Sequence, residues 1–323
     1  MSMRHSAAPG THRRVPEQFA ADVRYYLSLT PRQLPSRYLY DDLGSALFEA
    51  ICRLPWYGVT RAEQRLLETH GRTILARVDP LSAVVELGPG SGDKLATLLG
   101  GIGADPLTVH LVDMSAAALE SARRALPERR GLVVRTHQTT YEVGVVEAMR
   151  EAHPGGATLA LFLGSNIGNF DPPGSDELLR RIRGALTPGD FLLLGTDLVK
   201  PERDLLLAYD DPLGVTAAFN RNLLVRVNRD LGADFAVEAF AHRALWNPEA
   251  SRVEMHLVSE REQRVAVPSA GLEFTFAAGE AIWTESSYKY RIGDVVAMIA
   301  RAGFAAVDQW TEGSFALTLA RAV

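Results

Sequence analysis

The sequence predicts an α/β protein: a doubly wound, mostly parallel sheet with a second, smaller α+β body inserted into it. Three observations carry this. Five short apolar runs alternate with helical stretches between Ala83 and Leu198. A glycine-rich turn closes the first of those runs. The rhythm is absent over 1–60 and about 200–286, and a closing helix and hairpin follow from Tyr288.

Taken in order, residues 1–15 (MSMRHSAAPGTHRRV) carry basic side chains and no apolar stretch, so a disordered start is expected rather than a signal peptide. Leu43, Ala46, Leu47, Ala50, Ile51 and Leu54 space out an amphipathic helix. The runs AVVEL (83–87), VHLVDM (109–114), GLVVRTH (131–137), TLALFLG (158–164) and FLLLGTDL (191–198) are apolar on both faces. That pattern fits parallel strands covered by crossover helices. Between the last two, Ser175 is a candidate helix N-cap, Leu179, Ile182 and Leu186 form a buried stripe, and Pro188-Gly189 ends the helix. In the later segment RVEMHLVS (252–259) and QRVAVPS (263–269) read as antiparallel strands. Ile292, Val295, Val296 and Ile299 then have helical spacing, Gly303 stops them, and AAVDQW and SFALTLARA follow as a hairpin. The expected division is 16–60 with 200–286 as the substrate-binding body, and 61–199 with 287–323 as the sheet domain.

Composition narrows the function. The 323 residues are 47% hydrophobic and 23% charged, which excludes disordered and collagen-like classes. Thirty-four Lys+Arg against 39 Asp+Glu give a net charge of −5, so nothing global attracts nucleic acid or an anionic membrane. A small molecule is the expected partner, and a monomer the expected state. No run approaches the ~20 apolar residues of a membrane span. Cys52 is the only cysteine, which suits a reducing cytoplasm. The eight histidines make no H-x-x-x-H pair, so no metal is expected.

VVELGPGSGDK (84–94) closes the first strand with glycines at 88, 90 and 92. A turn without side chains lets backbone N–H groups approach a ligand at the carboxyl end of the sheet. The spacing is G-x-G-x-G, and Asp93 stands where a dinucleotide fingerprint needs its third glycine. With Glu86 just before the loop and Asp113 ending the second strand, the pattern resembles that of class I S-adenosylmethionine-dependent methyltransferases.

Four further segments are more specific: SRYLYDDLGSALFEAICRLPWYGVTRAE (36–63), LFLGSNIGNF (161–170), TDLVKPERDLLLAYDDPLGVTAAFNRN (196–222) and IWTESSYKY (282–290). From about Leu34 onward the chain resembles the L-histidine Nα-methyltransferase family of ergothioneine biosynthesis. The resemblance implies a class I methyltransferase (Rossmann-like) fold, S-adenosyl-L-methionine as methyl donor and S-adenosyl-L-homocysteine as product. It implies L-histidine as substrate, trimethylated on its α-amino nitrogen to hercynine. On the cofactor it sets Glu86, Gly88, Gly90, Lys94 and Asp113, with Thr140-Tyr141 on the adenine side where the family usually has Asp-Phe. On the substrate it sets Asn169 and Tyr209 at the carboxylate and amine, with Gly164 beside them. Tyr57, Glu285 and Ser287 match the imidazole-recognising set, Met255 lines the pocket, and Tyr40 lies near the reacting nitrogen.

These residue types suit the ligand, because a neutral imidazole offers one donor and one acceptor in a fixed plane. Glu285 can accept from the ring N–H while Tyr57 or Ser287 serves the other nitrogen. Two other readings keep the fold: an N-methyltransferase of another aromatic amino acid, and a non-catalytic sensor of the same ligands.

Overall fold

A seven-stranded sheet organises the protein, and its strand order fixes where a ligand can sit. The computed structural model describes residues 17–101, 105–151 and 155–323, so the start expected to be disordered, 1–15, lies outside the described residues. The N-terminal part gives α1 (Glu17–Leu27), β1 (Arg32–Gln33), α2 (Asp42–Arg53) and α3 (Val59–Arg77). The alternating part gives β2 (Leu81–Leu87), α4 (Asp93–Leu99), β3 (Leu107–Asp113), α5 (Ala116–Ala125), β4 (Leu132–Gln138) and α6 (Tyr141–Arg150). It continues through β5 (Ala157–Phe162), α7 (Pro172–Ala185) and β6 (Phe191–Asp197). Next come α8 (Glu202–Tyr209), α9 (Val215–Leu231), β7 (Phe240–Asn247), β8 (Arg252–Ser259), β9 (Gln263–Val267), β10 (Leu272–Phe276) and β11 (Ala281–Tyr288). The chain closes with α10 (Ile292–Arg301), β12 (Phe304–Glu312) and β13 (Phe315–Ala322).

The central sheet runs β12-β13-β6-β5-β2-β3-β4. Its pairs are parallel except at β13, which lies antiparallel between β12 and β6. From β2 the chain moves outward to β3 and β4, then returns to β5 on the other side of β2. Open α/β sheets form their ligand crevice at the carboxyl ends of the strands at such a reversal. All five apolar runs become strands, and every residue of β6 is buried. β4 departs from the two-sided pattern: no strand lies beyond it at the edge of the sheet, and Val133 is 47% exposed.

The helices correct the sequence reading in detail. α7 starts at Pro172 rather than after Ser175, because Asp171 caps it by accepting the Gly174 N–H at 2.9 Å. Its prolines occupy the first turn, where a missing N–H costs nothing. Ser175 sits inside and donates to the Pro172 carbonyl, while Leu179, Ile182 and Leu186 are buried as their spacing predicts. In α2 the inward face is Gly44, Phe48 and Ile51, while Leu43 is exposed. A Cβ at Gly44 would stand 1.7 Å from the Leu39 carbonyl oxygen, so only glycine lets α2 sit this close. In α10 the buried side chains are Val295, Met298 and Ile299, while Ile292 and Val296 face out.

The later segment folds into a second sheet, β1-β11-β8-β7. β8 is antiparallel to both β7 and β11, so each of its edges is taken. β9 therefore does not pair with β8; it forms a separate ribbon with β10. Among the described residues no helix is long and apolar enough to cross a membrane.

Candidate active site

Two sets of side chains meet at the reversal point. The first surrounds the loop after β2. Gly88 has φ +76°, and a Cβ there would lie 2.9 Å from Tyr141 Oη and 3.0 Å from Asn166 Nδ2, so the loop leaves a cradle that any side chain would fill. Gly90 also has positive φ, at the outer bend of the same loop. Glu86, one residue from the end of β2, is buried with no partner on Oε2, and burial pushes its carboxyl up to about 8. Asp113 ends β3 and accepts the Ser115 N–H at 2.8 Å. Desolvation raises its carboxyl above the ordinary value, and the Ser115 and Met114 N–H groups oppose this. Thr140 caps α6 without a side-chain hydrogen bond, and Tyr141 stands edge-on to Phe162 at 5.3 Å.

Lys94, on α4, reaches Glu63 Oε2 at 2.5 Å. Glu63 closes one of the matched segments, but its spacing alone reads as one more charge on a polar helix. In the fold it is fully buried, and both its oxygens face the Gly164 N–H at 2.9 Å. Gly195 makes room for it, since a Cβ there would lie 2.1 Å from Glu63 Oε1. An orphan carboxylate, a side-chain-free cradle and a cation at the carboxyl ends of β2, β3 and β5 fit a polar nucleoside that carries an amino-acid tail.

The second set lines a cavity next to this loop. Tyr40, Tyr57, Gly164 and Asn169 are on its wall. So are Tyr209, Met255, Glu285 and Ser287, so the structure brings together all eight positions matched to the substrate. Tyr40 lies edge-on to Phe48 and Phe219, each at 5.5 Å, which holds its ring between α2 and α9. Burial raises the hydroxyls of Tyr40 and Tyr57 well above the ordinary tyrosine value, and Glu285 adds to the effect on Tyr40. Both hydroxyls are therefore protonated at neutral pH.

A register shift in β11 between Trp283 and Glu285 aims the next two groups. Before the shift Ile282 and Thr284 are buried; after it Glu285 and Ser287 are. The extra residue changes which parity faces inward, as a bulge does. Trp283 Nε1 donates to the Glu285 carbonyl at 2.9 Å across it. Burial raises the Glu285 carboxyl to about 7, and the positive charge of Lys289 holds it from rising further. Among the described residues no hydrogen bond reaches that carboxylate. Tyr209 is held from behind: His242 Nε2 bonds its carbonyl at 2.8 Å, and His242 Nδ1 in turn lies 2.9 Å from Asn220 Nδ2; spacing alone points to neither residue.

Away from the cavity, His110, His137 and Glu151 bring possible ligand atoms within 4.8 Å of one another, a grouping that chain spacing does not foretell. These groups are already engaged. His110 Nδ1 and His137 Nε2 lie 2.9 Å apart, and Arg135 bonds Glu151 at 2.5 Å.

The family described as "Histidine-specific methyltransferase, SAM-dependent" matches residues 19–322. A histidine N-alpha-methyltransferase of Mycolicibacterium smegmatis is 42% identical over 313 residues, covering 94% of this chain and 95% of the relative. One from Mycobacterium tuberculosis is 42% identical over 306 residues, 93% of each chain. An L-tryptophan methyltransferase of Psilocybe serbica is 28% identical across 87% of this chain and 85% of its own. A match over almost the whole described length, with a glycine cradle and a polar cavity at the sheet's reversal point, makes this chain a member of the histidine-specific, S-adenosylmethionine-dependent methyltransferase family.

Proposed function

We propose that the protein transfers methyl groups from S-adenosylmethionine to the α-amino nitrogen of L-histidine, three times, giving hercynine, the first step of ergothioneine biosynthesis. The observation that supports this most directly is the pairing of Glu285 and Ser287 on one inward face of β11. Alternate residues of a strand stand about 7 Å apart, enough for a planar ring to fit between an acceptor and a donor. A neutral imidazole has the matching N–H and bare nitrogen. Indole would satisfy Glu285 and leave Ser287 unanswered, so histidine is favoured over tryptophan despite the Psilocybe relative.

The bound cofactor supplies an electrophilic methyl carbon on a sulfonium. Around it, Glu86 and Asp113 accept hydrogen bonds from hydroxyls, the Gly88 and Gly90 turn admits the nucleoside, Tyr141 flanks the base and Lys94 holds the tail's carboxylate. Asn169 and Tyr209 hold the carboxylate and amine of the substrate, Tyr57 and Ser287 serve the ring, and Met255 packs on it. In-line attack needs a nitrogen lone pair about 3–3.5 Å from the methyl carbon. The proton on an amine of pKa roughly 8 must leave first. Tyr40, protonated at neutral pH, is a hydrogen-bond partner and not that base. Its hydroxyl can donate or accept, which serves an amine that loses its own donors as it is methylated.

In this reading 16–60 with 200–286 binds substrate, 61–199 with 287–323 binds cofactor, and the protein works as a cytoplasmic monomer without nucleic acid. Mass spectrometry of a reaction with histidine and S-adenosylmethionine tests it. Successive additions of one methylene mass, ending at three, are expected, with histidine preferred to tryptophan and tyrosine. No methylated histidine at high enzyme concentration, or no preference for it, overturns the reading.

A further inference from the structure

Behind the hydroxyls of Tyr209 and Ser287 lies a side chain that does not line the cavity. Lys289 directly follows β11, and its side chain is fully enclosed. Its Nζ donates to Tyr209 Oη at 2.7 Å and to Ser287 Oγ at 2.8 Å, and Asp197 Oδ2 lies 3.0 Å away as its ion-pair partner. An ammonium has three protons and no lone pair. Two of them go to the hydroxyls, whose oxygens are both acceptors toward the lysine, while Asp197 Oδ2 pairs its charge without a hydrogen bond.

The two hydroxyls also lie 2.8 Å from each other. One of their two protons occupies that contact. The other has no acceptor among the described residues, and both side chains line the cavity. No hydrogen bond joins Asp197 to either hydroxyl, and its other oxygen accepts from Lys200 at 2.7 Å.

We propose that Lys289 is a positioning and specificity-determining residue: by filling the acceptor side of Tyr209 and Ser287 it makes the pair a donor, so the bound amino acid must present an unprotonated acceptor there. This rests on the histidine reading of the cavity. A carboxylate oxygen or the bare nitrogen of a neutral imidazole satisfies the pair. A ring carrying protons on both nitrogens meets a donor and a fixed positive charge, and an apolar ring leaves a buried hydroxyl proton unpaired, which such sites reject strongly. Lys289 also acts on Glu285, whose carboxyl its charge holds down.

The test uses the full chain. Lys289→Met removes the cation, and Lys289→Met with Asp197→Asn removes both charges in case the single variant does not fold. Expected in either is a fall of about 10- to 100-fold in kcat/KM for histidine, carried by KM, with S-adenosylhomocysteine affinity within about twofold of wild type. The acid limb of the kcat/KM profile should also move to higher pH, because Glu285 loses the charge that opposes its protonation. A purely structural lysine would leave that limb in place. A folded variant with wild-type KM and an unmoved limb overturns the assignment of Lys289 alone. A wild type that methylates no histidine overturns the function reading and this inference with it.

Discussion

Lys94 and Lys289 are each set against one buried carboxylate, yet they are left in opposite situations. Lys94 meets Glu63 and no other hydrogen-bonding side chain among the described residues, and 23% of its side chain stays exposed. Lys289 meets a carboxylate and two hydroxyls and is wholly enclosed. Since an ammonium has three protons, Lys94 keeps two for a ligand, while the enclosed Lys289 can offer a ligand none. In the proposed function two equal charges thus divide the work: one lysine is to hold a ligand directly, and the other to set the polarity of groups that do.

Removing Lys94 breaks this comparison with the largest expected effect. Lys94→Met leaves Glu63 charged and buried, and breaking such a pair costs about 3–5 kcal/mol. Adding Glu63→Gln should restore most of that stability, because an amide oxygen can still accept the Gly164 N–H. It should not restore cofactor binding, which is expected to stay about 10- to 100-fold weaker. Thermal unfolding and titration with S-adenosylhomocysteine separate the two quantities. Wild-type affinity in the double variant would remove Lys94 from the cofactor site.

Glu285→Gln comes next and probes the cavity end. A protonated carboxyl can donate where an ionised one only accepts, so wild-type kcat/KM for histidine should fall as pH drops through about 7. An amide cannot titrate: the variant should lose that limb and, above pH 7, about 10-fold or more in kcat/KM. Cofactor affinity should hold. An unaltered pH profile would mean that the limb belongs to another group.

The two ends of the site also differ in how far the sequence reveals them. The cofactor end is written in one stretch, VVELGPGSGDK, because a strand, a turn and a helix start follow one another in the chain and the turn needs glycine. Strand spacing likewise reveals the five parallel strands of the central sheet along the chain, while their order within it is seen only in the fold. The cavity draws on segments separated by more than 200 residues, Tyr40 to Ser287, and chain spacing cannot bring those together. Only their match to a family did. Lys289 lies inside IWTESSYKY, one of the matched segments, but a lysine beside a strand reads as solvated until β6 is seen to set Asp197 against it. The inward face of α2 was misjudged for a related reason: Gly44 has no apolar side chain to count, yet it is the point of closest approach.

Glu86 sharpens the contrast from the stability side. Its folded carboxyl, raised to about 8, binds a proton more tightly than in the unfolded chain, where the ordinary value is 4.5. That contribution to stability is full below pH 4.5 and is lost as pH rises toward 8. Glu86→Gln removes the titration and should stabilise the ligand-free protein by about 1–3 kcal/mol at pH 8. It should weaken S-adenosylhomocysteine binding, since the amide is a poorer acceptor for hydroxyls. A variant no more stable than wild type at pH 8 would show that an unseen partner already compensates the carboxylate.

Thr140→Asp is the smallest change and acts on both quantities in the same direction. Thr140 stands at the N-cap of α6 and makes no side-chain cap hydrogen bond. Aspartate is a stronger cap, and its charge meets the positive end of the helix, worth about 0.5–1 kcal/mol together. The same carboxylate would stand where the resemblance puts an aspartate on the adenine side, so in the proposed cofactor placement S-adenosylhomocysteine should bind a few-fold more tightly. Asp113 opposes both gains, because a second negative charge at this end of the sheet repels the first, and added salt should therefore enlarge them. If the unfolding temperature rises while affinity does not, the new carboxylate caps the helix without reaching the base. Tyr141 would then be the only side chain of this pair that the nucleoside uses.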